Sequence, residues 1–250
     1  MEDGKTIGVL AGASLVFFAY FGFDAVSTAA DEAKNPQRDL PIGLIASLAF
    51  CTLVYIIVSG LLTGILPYTQ LNVASPVAYA LSKIGFTWSS TLVATGVLAG
   101  LITVLLVLLY GLTRILYAMS RDGLISPFFS AVNPDRQTPT RIILMCGAVI
   151  SLVAGFFPLG ELAETVNIGT LASFVMVCIG VIVLRIRQPN LKRPFKNPWN
   201  PLIPTLGVIS CIALMTFLPH ATWHRFLIWV SIGIVFYFAY AMHHSKLRKR

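Results

Sequence analysis

Long apolar runs separated by short polar segments make up most of the chain. A helix needs about 20 apolar residues to cross a bilayer, and seven runs approach or exceed that length. A soluble chain of this size would not contain so many separate runs of spanning length. The pattern therefore predicts an all-α membrane protein with seven transmembrane helices, over residues 6–30, 40–66, 88–119, 141–157, 162–184, 201–218 and 223–242.

The first run differs from the others because a glycine and a carboxylate interrupt it. Gly22 lies between Phe21 and Phe23, and Asp24 follows directly. A carboxylate at membrane depth is costly and usually marks a pathway or a site. A broken helix leaves backbone groups that are tolerated at that depth only beside a cavity or inside protein. We therefore expect helical hydrogen bonding to stop within residues 20–24, as in the midplane sites of many secondary transporters.

Composition and charge support a membrane location and set an orientation. Hydrophobic residues make up 56% of the chain and charged residues 11%, against about 25% charged in soluble domains. The net charge of +8 comes mostly from one set of alternate loops, which with Arg114 holds 15 of the 18 basic residues. The other side holds Lys5, Lys83 and Arg225. Cytoplasmic loops collect Lys and Arg, so the N-terminus is predicted outside and the C-terminus inside, and nucleic-acid binding is not predicted.

Two segments between the runs have signals of their own. Ser75 followed by Pro76, with Gly85 at the end, predicts a short helix on the outer surface, either a plain loop helix or a gate. Residues 185–204 hold five prolines and five basic residues and predict a cytoplasmic linker. Glu161 and Glu164 open the fifth run, where negative charge suits a helix N-terminus; cation binding is the alternative.

Catalytic and metal chemistry find little support in the residues. The four cysteines lie in four different runs without metal-ligand spacing, and buried free cysteine behaves as a small hydrophobe. No nucleophile–base pair is visible along the sequence. We therefore predict no enzyme activity, no metal site and no cofactor.

Five segments together resemble one protein family: residues 17–32, 35–41, 114–123, 161–171 and 193–195. They are similar to bacterial amino acid permeases of the amino acid–polyamine–organocation superfamily, in its cationic amino acid transporter-like branch. There they correspond to helix six, the connection to helix seven, the end of helix eight, the start of helix ten and a proline-rich segment. The resemblance covers nearly the whole chain, from the family's helix six to helix twelve.

The resemblance implies the second half of a leucine-transporter-type inverted-repeat fold. Residues 1–184 would form the second five-helix repeat, residues 185–204 the linker, and residues 205–250 two additional helices with a basic tail. Helices one to five of the family have no counterpart in these residues, and one expectation is that a separate chain supplies them. The implied location is the plasma (inner) membrane, as a multi-pass protein in contact with the lipid bilayer.

The resemblance also implies an amino acid substrate at the interruption. The carbonyls of Phe18, Ala19 and Phe21 would accept hydrogen bonds from the ammonium group, Gly22 would permit the break, and Phe23 would gate or stack. Asp24 would cap the second half-helix or take part in coupling. The implied substrate-binding residues are Phe18, Ala19, Tyr20, Phe21, Gly22, Phe23 and Asp24.

Two classes of function follow from these observations. The first is amino acid transport as part of a secondary permease that is incomplete without the family's first five helices. The second is a seven-helix membrane protein that binds a ligand without transporting it, or an inactive gene remnant. The residues themselves do not distinguish which amino acid is carried or which ion couples to it.

Overall fold

The computed structural model describes residues 8–28, 33–131, 138–191, 195, 199 and 201–246. Within these ranges the regular structure is helical and contains no strand, which confirms the all-α class. The α-helices of this part of the chain are α1 Val9–Val16, α2 Ala25–Thr28, α3 Pro36–Ile65, α4 Pro76–Lys83, α5 Thr87–Arg121, α6 Thr140–Phe156, α7 Leu159–Arg187, α8 Leu202–Thr216, α9 His220–Phe236 and α10 Met242–His244.

Five helical segments among the described residues are long and apolar enough to cross a bilayer: Val9–Ser27, Pro36–Ile65, Trp88–Arg121, Leu159–Arg187 and His220–His244. The apolar helices α6 and α8 have only 17 and 15 residues. At 1.5 Å per residue they are about 26 and 23 Å long, shorter than the roughly 30 Å hydrocarbon core. Seven crossings and their orientation therefore stay predictions, whereas the multi-pass membrane class is established.

The helices on either side of the predicted linker extend into it. The last turn of α7 continues through Arg185 to Arg187, and the N–H of Gln188 still donates to the carbonyl of Leu184 at 3.0 Å. Pro204 lies in the first turn of α8, where a missing N–H removes no intrahelical bond. The predicted linker of residues 185–204 is therefore non-helical over residues 188–191, while α8 already begins at Leu202.

The chain divides into two compact units, one of Met1–Gly22 with Thr113–Arg250 and the other Phe23–Leu112. The division into a five-helix repeat, a linker and two additional helices stays a prediction. In the first unit the core lies along α7, where Ile168 and Leu171 are fully buried. They pack with Met215 and Leu218 at the end of α8. The most extensive helix contact of this unit is between α7 and α8.

The second unit contains α3 and the short helix α4, which packs against it. No residue of α3 is buried. The predicted short helix is confirmed as α4, with Pro76 at its first position and Gly85 at a φ of +89° just after it. The Ser75 side chain makes no capping hydrogen bond with the residues described. Proline, whose fixed φ suits the first turn, therefore starts this helix without help from the serine.

The end of the described chain meets the turn after α5, within the first unit. A wide π turn, Tyr237–Ala241, joins α9 to α10. Beyond it, the N–H of Lys246 donates to the carbonyl of Asp122 at 2.9 Å. Gly123 has a φ of +82°, and a Cβ there would collide with the carbonyl oxygen of His244. Glycine is therefore required at residue 123 both by its backbone angle and by this close approach.

Candidate binding site at the interrupted first segment

The first apolar segment is broken where the sequence predicts. Regular α-helix ends at Val16, a 3₁₀ turn covers Phe17–Tyr20, and the chain is non-helical until α2 begins at Ala25. Phe21 is extended, with φ −60° and ψ 136°, and Gly22 has a φ of +108°. Side chains rarely tolerate that angle, so Gly22 permits the break in the helix. The predicted interruption within residues 20–24 is confirmed, and the α-helical pattern stops several residues earlier than expected.

The carbonyls expected to meet an ammonium group lie in and just after the 3₁₀ turn. The N–H of Phe21 already donates to the carbonyl of Phe18 at 3.1 Å. A carbonyl oxygen has two lone pairs, so that oxygen can accept a second hydrogen bond. Ala19, Tyr20 and Phe23 each take part in further interactions within the structure. The assignment of these residues to a substrate stays a prediction.

Aromatic rings line the described stretch before the break. Phe18 and Phe21 are stacked, with ring centroids 6.5 Å apart and planes 2° from parallel. Their side chains are 39% and 37% exposed. Phe17 instead meets Phe174 of α7 edge to face, at 6.2 Å. One ring therefore anchors the turn, while the stacked pair stays accessible to a small molecule or to lipid.

Asp24 stands immediately before α2, in the position of a helix cap. Its backbone carbonyl accepts hydrogen bonds from the N–H of Ser27 at 2.9 Å and from the Ser27 hydroxyl at 2.6 Å. These bonds form the first turn of α2. The choice between capping and a role in coupling stays open, because both bonds use the backbone of Asp24 and not its carboxylate.

A buried side chain that the sequence did not single out contacts the start of the break. The amide nitrogen Nδ2 of Asn167, on α7, donates to the carbonyl of Ser14 at 3.1 Å and reaches that of Leu15 at 3.5 Å. Asn167 is 2% exposed and Ser14 is fully buried. The last carbonyls of an α-helix lack intrahelical partners. In the sequence, the signal for this contact was an asparagine within the apolar run at residues 162–184.

A second polar group joins the start of α7 to the start of α9. Arg225 contacts Glu161 at 2.8 Å and Glu164 at 3.8 Å, and the Thr222 hydroxyl donates to Glu164 at 2.7 Å. Glu161 and Glu164, the carboxylates predicted at a helix N-terminus, therefore face Arg225. Arg225 is one of the three basic residues on the side predicted to lie outside. Glu161 and Arg225 also line a cavity of about 430 Å³, together with Val153, Phe157 and Trp229.

Within the described residues, no group of three or more His, Cys, Asp or Glu side chains could hold a metal ion.

The comparisons with known proteins come from one family. The profile of a family described as amino acid permease matches residues 1–239. The chain is 47% identical over 243 residues to the branched-chain amino acid permease BcaP of Bacillus subtilis (strain 168), and 46% identical over 242 residues to the methylthioribose transporter of the same organism. Each alignment covers 97% of this chain and 52% of the relative.

A plant relative is more distant and is matched over a smaller part. The chain is 39% identical over 183 residues to the vacuolar cationic amino acid transporter 4 of Arabidopsis thaliana, which covers 73% of this chain and 30% of that protein. The chain therefore spans about half the length of the two bacterial relatives and less of the plant protein.

Proposed function

The chain belongs to the amino acid permease family, and on that premise we propose that it carries amino acids across a membrane as part of a secondary transporter. The observation that supports this most directly is the break at Gly22, inside a segment apolar enough to span a bilayer. Irregular backbone at such depth is tolerated only where it lines a cavity or is buried in protein, and a cavity that holds a charged small molecule meets this condition. Because the chain spans half of its bacterial relatives, we propose that further helices complete the site.

The chemistry proposed for the site follows from the backbone. The carbonyl end of a helix favours a cation, so the stretch Phe17–Tyr20 would take the ammonium group of the amino acid. Its acceptors would be the second lone pair of the Phe18 carbonyl and the carbonyls of Ala19 and Phe21. Phe23 would cover the side chain of the cargo, with Tyr20 and Asp24 at the edge of the site. The carboxylate would be held by the part of the transporter that this chain does not include.

We also propose that α6 and α8 cross the membrane, which gives seven spans with the N-terminus outside. A helix a few ångströms too short is accommodated by local thinning of the bilayer at modest cost. The distribution of basic residues supports this orientation. Residues 1–184 would then form the second repeat of an inverted-repeat transporter, which works by rocking one bundle against another.

The names of the two bacterial relatives raise the question of cargo. One is a branched-chain amino acid permease and the other a methylthioribose transporter, at nearly equal identity. Carbonyls at an opened helix end favour a group that is both cationic and rich in donors, which an ammonium is and a neutral sugar is not. We therefore favour an amino acid over a thiosugar. The alternative from another class is a membrane protein that binds such a ligand without moving it.

Uptake into liposomes tests the proposal. The chain is reconstituted alone and with a segment equivalent to the remaining half of BcaP, and uptake of labelled leucine, lysine and methylthioribose is measured. We expect uptake of an amino acid only when both parts are present. Folded protein that takes up none of the three would contradict transport, and saturable binding without uptake would favour the non-transporting alternative.

A matched pair of glycine variants locates the site. Gly22→Ala forces a side chain into a backbone angle that costs about 1–3 kcal/mol, and uptake should fall about tenfold or more. Gly12→Ala, in the same segment, adds a methyl group with no atom within 4 Å, and uptake should be unchanged. Equal effects of the two variants would remove the argument for a site at the break.

A further inference from the structure

We propose that Asn167 is a positioning residue that fixes the point where α1 stops being an α-helix. The inference rests on the proposed function only for its consequence, which is that the proposed substrate stretch begins directly after Val16. Its structural basis is the pair of hydrogen bonds from the Asn167 amide to the carbonyls of Ser14 and Leu15. These bonds join positions 153 residues apart in the sequence.

The two carbonyls are the ones that a continued α-helix would use next. In α-helical geometry each N–H donates to the carbonyl four residues before it, so Phe18 would pair with Ser14 and Ala19 with Leu15. The N–H of Phe17 still follows this rule and donates to Ala13. Immediately afterwards the winding tightens to the 3₁₀ form. The Asn167 amide therefore takes the Ser14 carbonyl where the pattern changes, while the Leu15 carbonyl accepts a backbone N–H of the helix cap and lies 3.5 Å from the same amide.

Burial stabilises the contact between the Asn167 amide and the carbonyls at the end of α1. A buried carbonyl without a partner costs free energy comparable to a lost hydrogen bond, and α1 lies in an apolar segment. Asn167 is 2% exposed, so water does not compete strongly for its amide. The hydroxyl of Ser14 is already committed to the carbonyl of Ala11 at 2.8 Å. Among the residues that the structure describes, Asn167 supplies the side-chain hydrogen bonds to the carbonyls of Ser14 and Leu15.

The rest of the same helix face supports the asparagine. Leu171 and Phe174 follow Asn167 at intervals of four and three residues, so the three side chains lie along one stripe of α7. Leu171 belongs to the buried core against which Phe17 packs, and Phe174 meets the Phe17 ring. The stripe therefore holds both the last carbonyls of α1 and the first ring of the 3₁₀ turn. Asn167 supplies the directional contact in this stripe.

Amide hydrogen exchange of the chain in lipid nanodiscs tests the inference without any substrate. Asn167→Leu keeps the approximate volume and removes the donor, so Ser14 and Leu15 should pair with Phe18 and Ala19. Both amides belong to the 3₁₀ turn, whose hydrogen bonds have poorer geometry than α-helical ones, so we expect their exchange to slow about two- to threefold when the α-helical partners replace the 3₁₀ partners. Asn167→Gln retains a carboxamide and should restore much of the faster exchange. The matched control is Thr170→Val, whose hydroxyl bonds within α7 to Val166 and should leave residues 18–19 unchanged.

Faster exchange throughout α1 and α7, or no change at Phe18 and Ala19, would overturn the inference, because a merely stabilising contact predicts general loosening. Failure of Asn167→Gln to differ from Asn167→Leu would also overturn it. The unsubstituted and Asn167→Leu proteins are then compared for amino acid uptake with the completing segment present. Absence of uptake in the unsubstituted protein counts against the proposed function alone, since the exchange result does not depend on it.

Discussion

Helices α7 and α3 are nearly the same by length and hydropathy, yet they are used differently. They have 29 and 30 residues, and both are apolar enough to cross a bilayer. Helix α7 has three buried residues, Asn167, Ile168 and Leu171, whereas α3 has none. Helix α7 contacts α1, α8 and α9. Hydropathy therefore identifies both as membrane helices but does not tell which of them organises a core.

Polar side chains distinguish the two helices. On α7, Asn167 bonds to α1 and Glu164 to α9. On α3, the hydroxyls of Ser47, Thr52 and Thr63 bond to carbonyls of α3 itself. A hydroxyl bonded within its own helix leaves that helix free to face lipid, while a side chain bonded across helices fixes a neighbour. The direction of polar bonds, more than their number, marks the organising helix.

The largest expected difference concerns core packing. Leu171→Ala on α7 removes a fully buried side chain and should lower the free energy of unfolding by about 2–5 kcal/mol. Leu53→Ala on α3 affects a side chain that is 57% exposed and should change it by no more than about 0.5 kcal/mol. Denaturant unfolding in detergent micelles measures both. Comparable losses would show that α3 has a packed face and would break the comparison.

The next difference concerns two glycines with similar backbone angles. Gly85 and Gly123 have φ values of +89° and +82°, but only an added Cβ at Gly123 would meet protein, at the carbonyl of His244. Gly85→Ala should cost about 1–2 kcal/mol from backbone strain. Gly123→Ala should cost about 1–3 kcal/mol more because the contact must open. Thermal unfolding measures the two variants, and equal losses would show that the close approach is unimportant.

The smallest difference concerns two threonines. Thr222→Val removes a hydrogen bond to the Glu164 side chain and should destabilise the protein by about 1 kcal/mol. Thr52→Val on α3 removes a bond to the carbonyl of Leu48 in the same helix and should have almost no effect. Repeating Thr222→Val in a Glu164→Gln background isolates the pair. A Thr222 effect independent of residue 164 would contradict this assignment.

The sequence predicted the features that depend on neighbouring residues. Apolar run length predicted the helices, and glycine beside a carboxylate predicted the break at Gly22. Features that join distant residues were missed: Asn167 pairs with Ser14, and Arg225 pairs with Glu161. Nothing in the local pattern of an apolar run shows which neighbour it will contact. The predicted runs at residues 141–157 and 201–218 agree closely with α6 and α8, and their crossing of the bilayer stays a prediction.

The π turn at Tyr237–Ala241 determines the rotation of the last helix, α10, about the helix axis. An α-helix advances about 100° per residue, and a π turn accommodates one extra residue without lengthening the helix. Residues 242–246 are therefore rotated by roughly that angle relative to a straight continuation of α9. Deleting a single amino acid from this turn would straighten the helix and swing His244 and Lys246 away from Asp122 and Gly123. The contact of His244 and Lys246 with the turn after α5 thus depends on the one extra residue in the π turn.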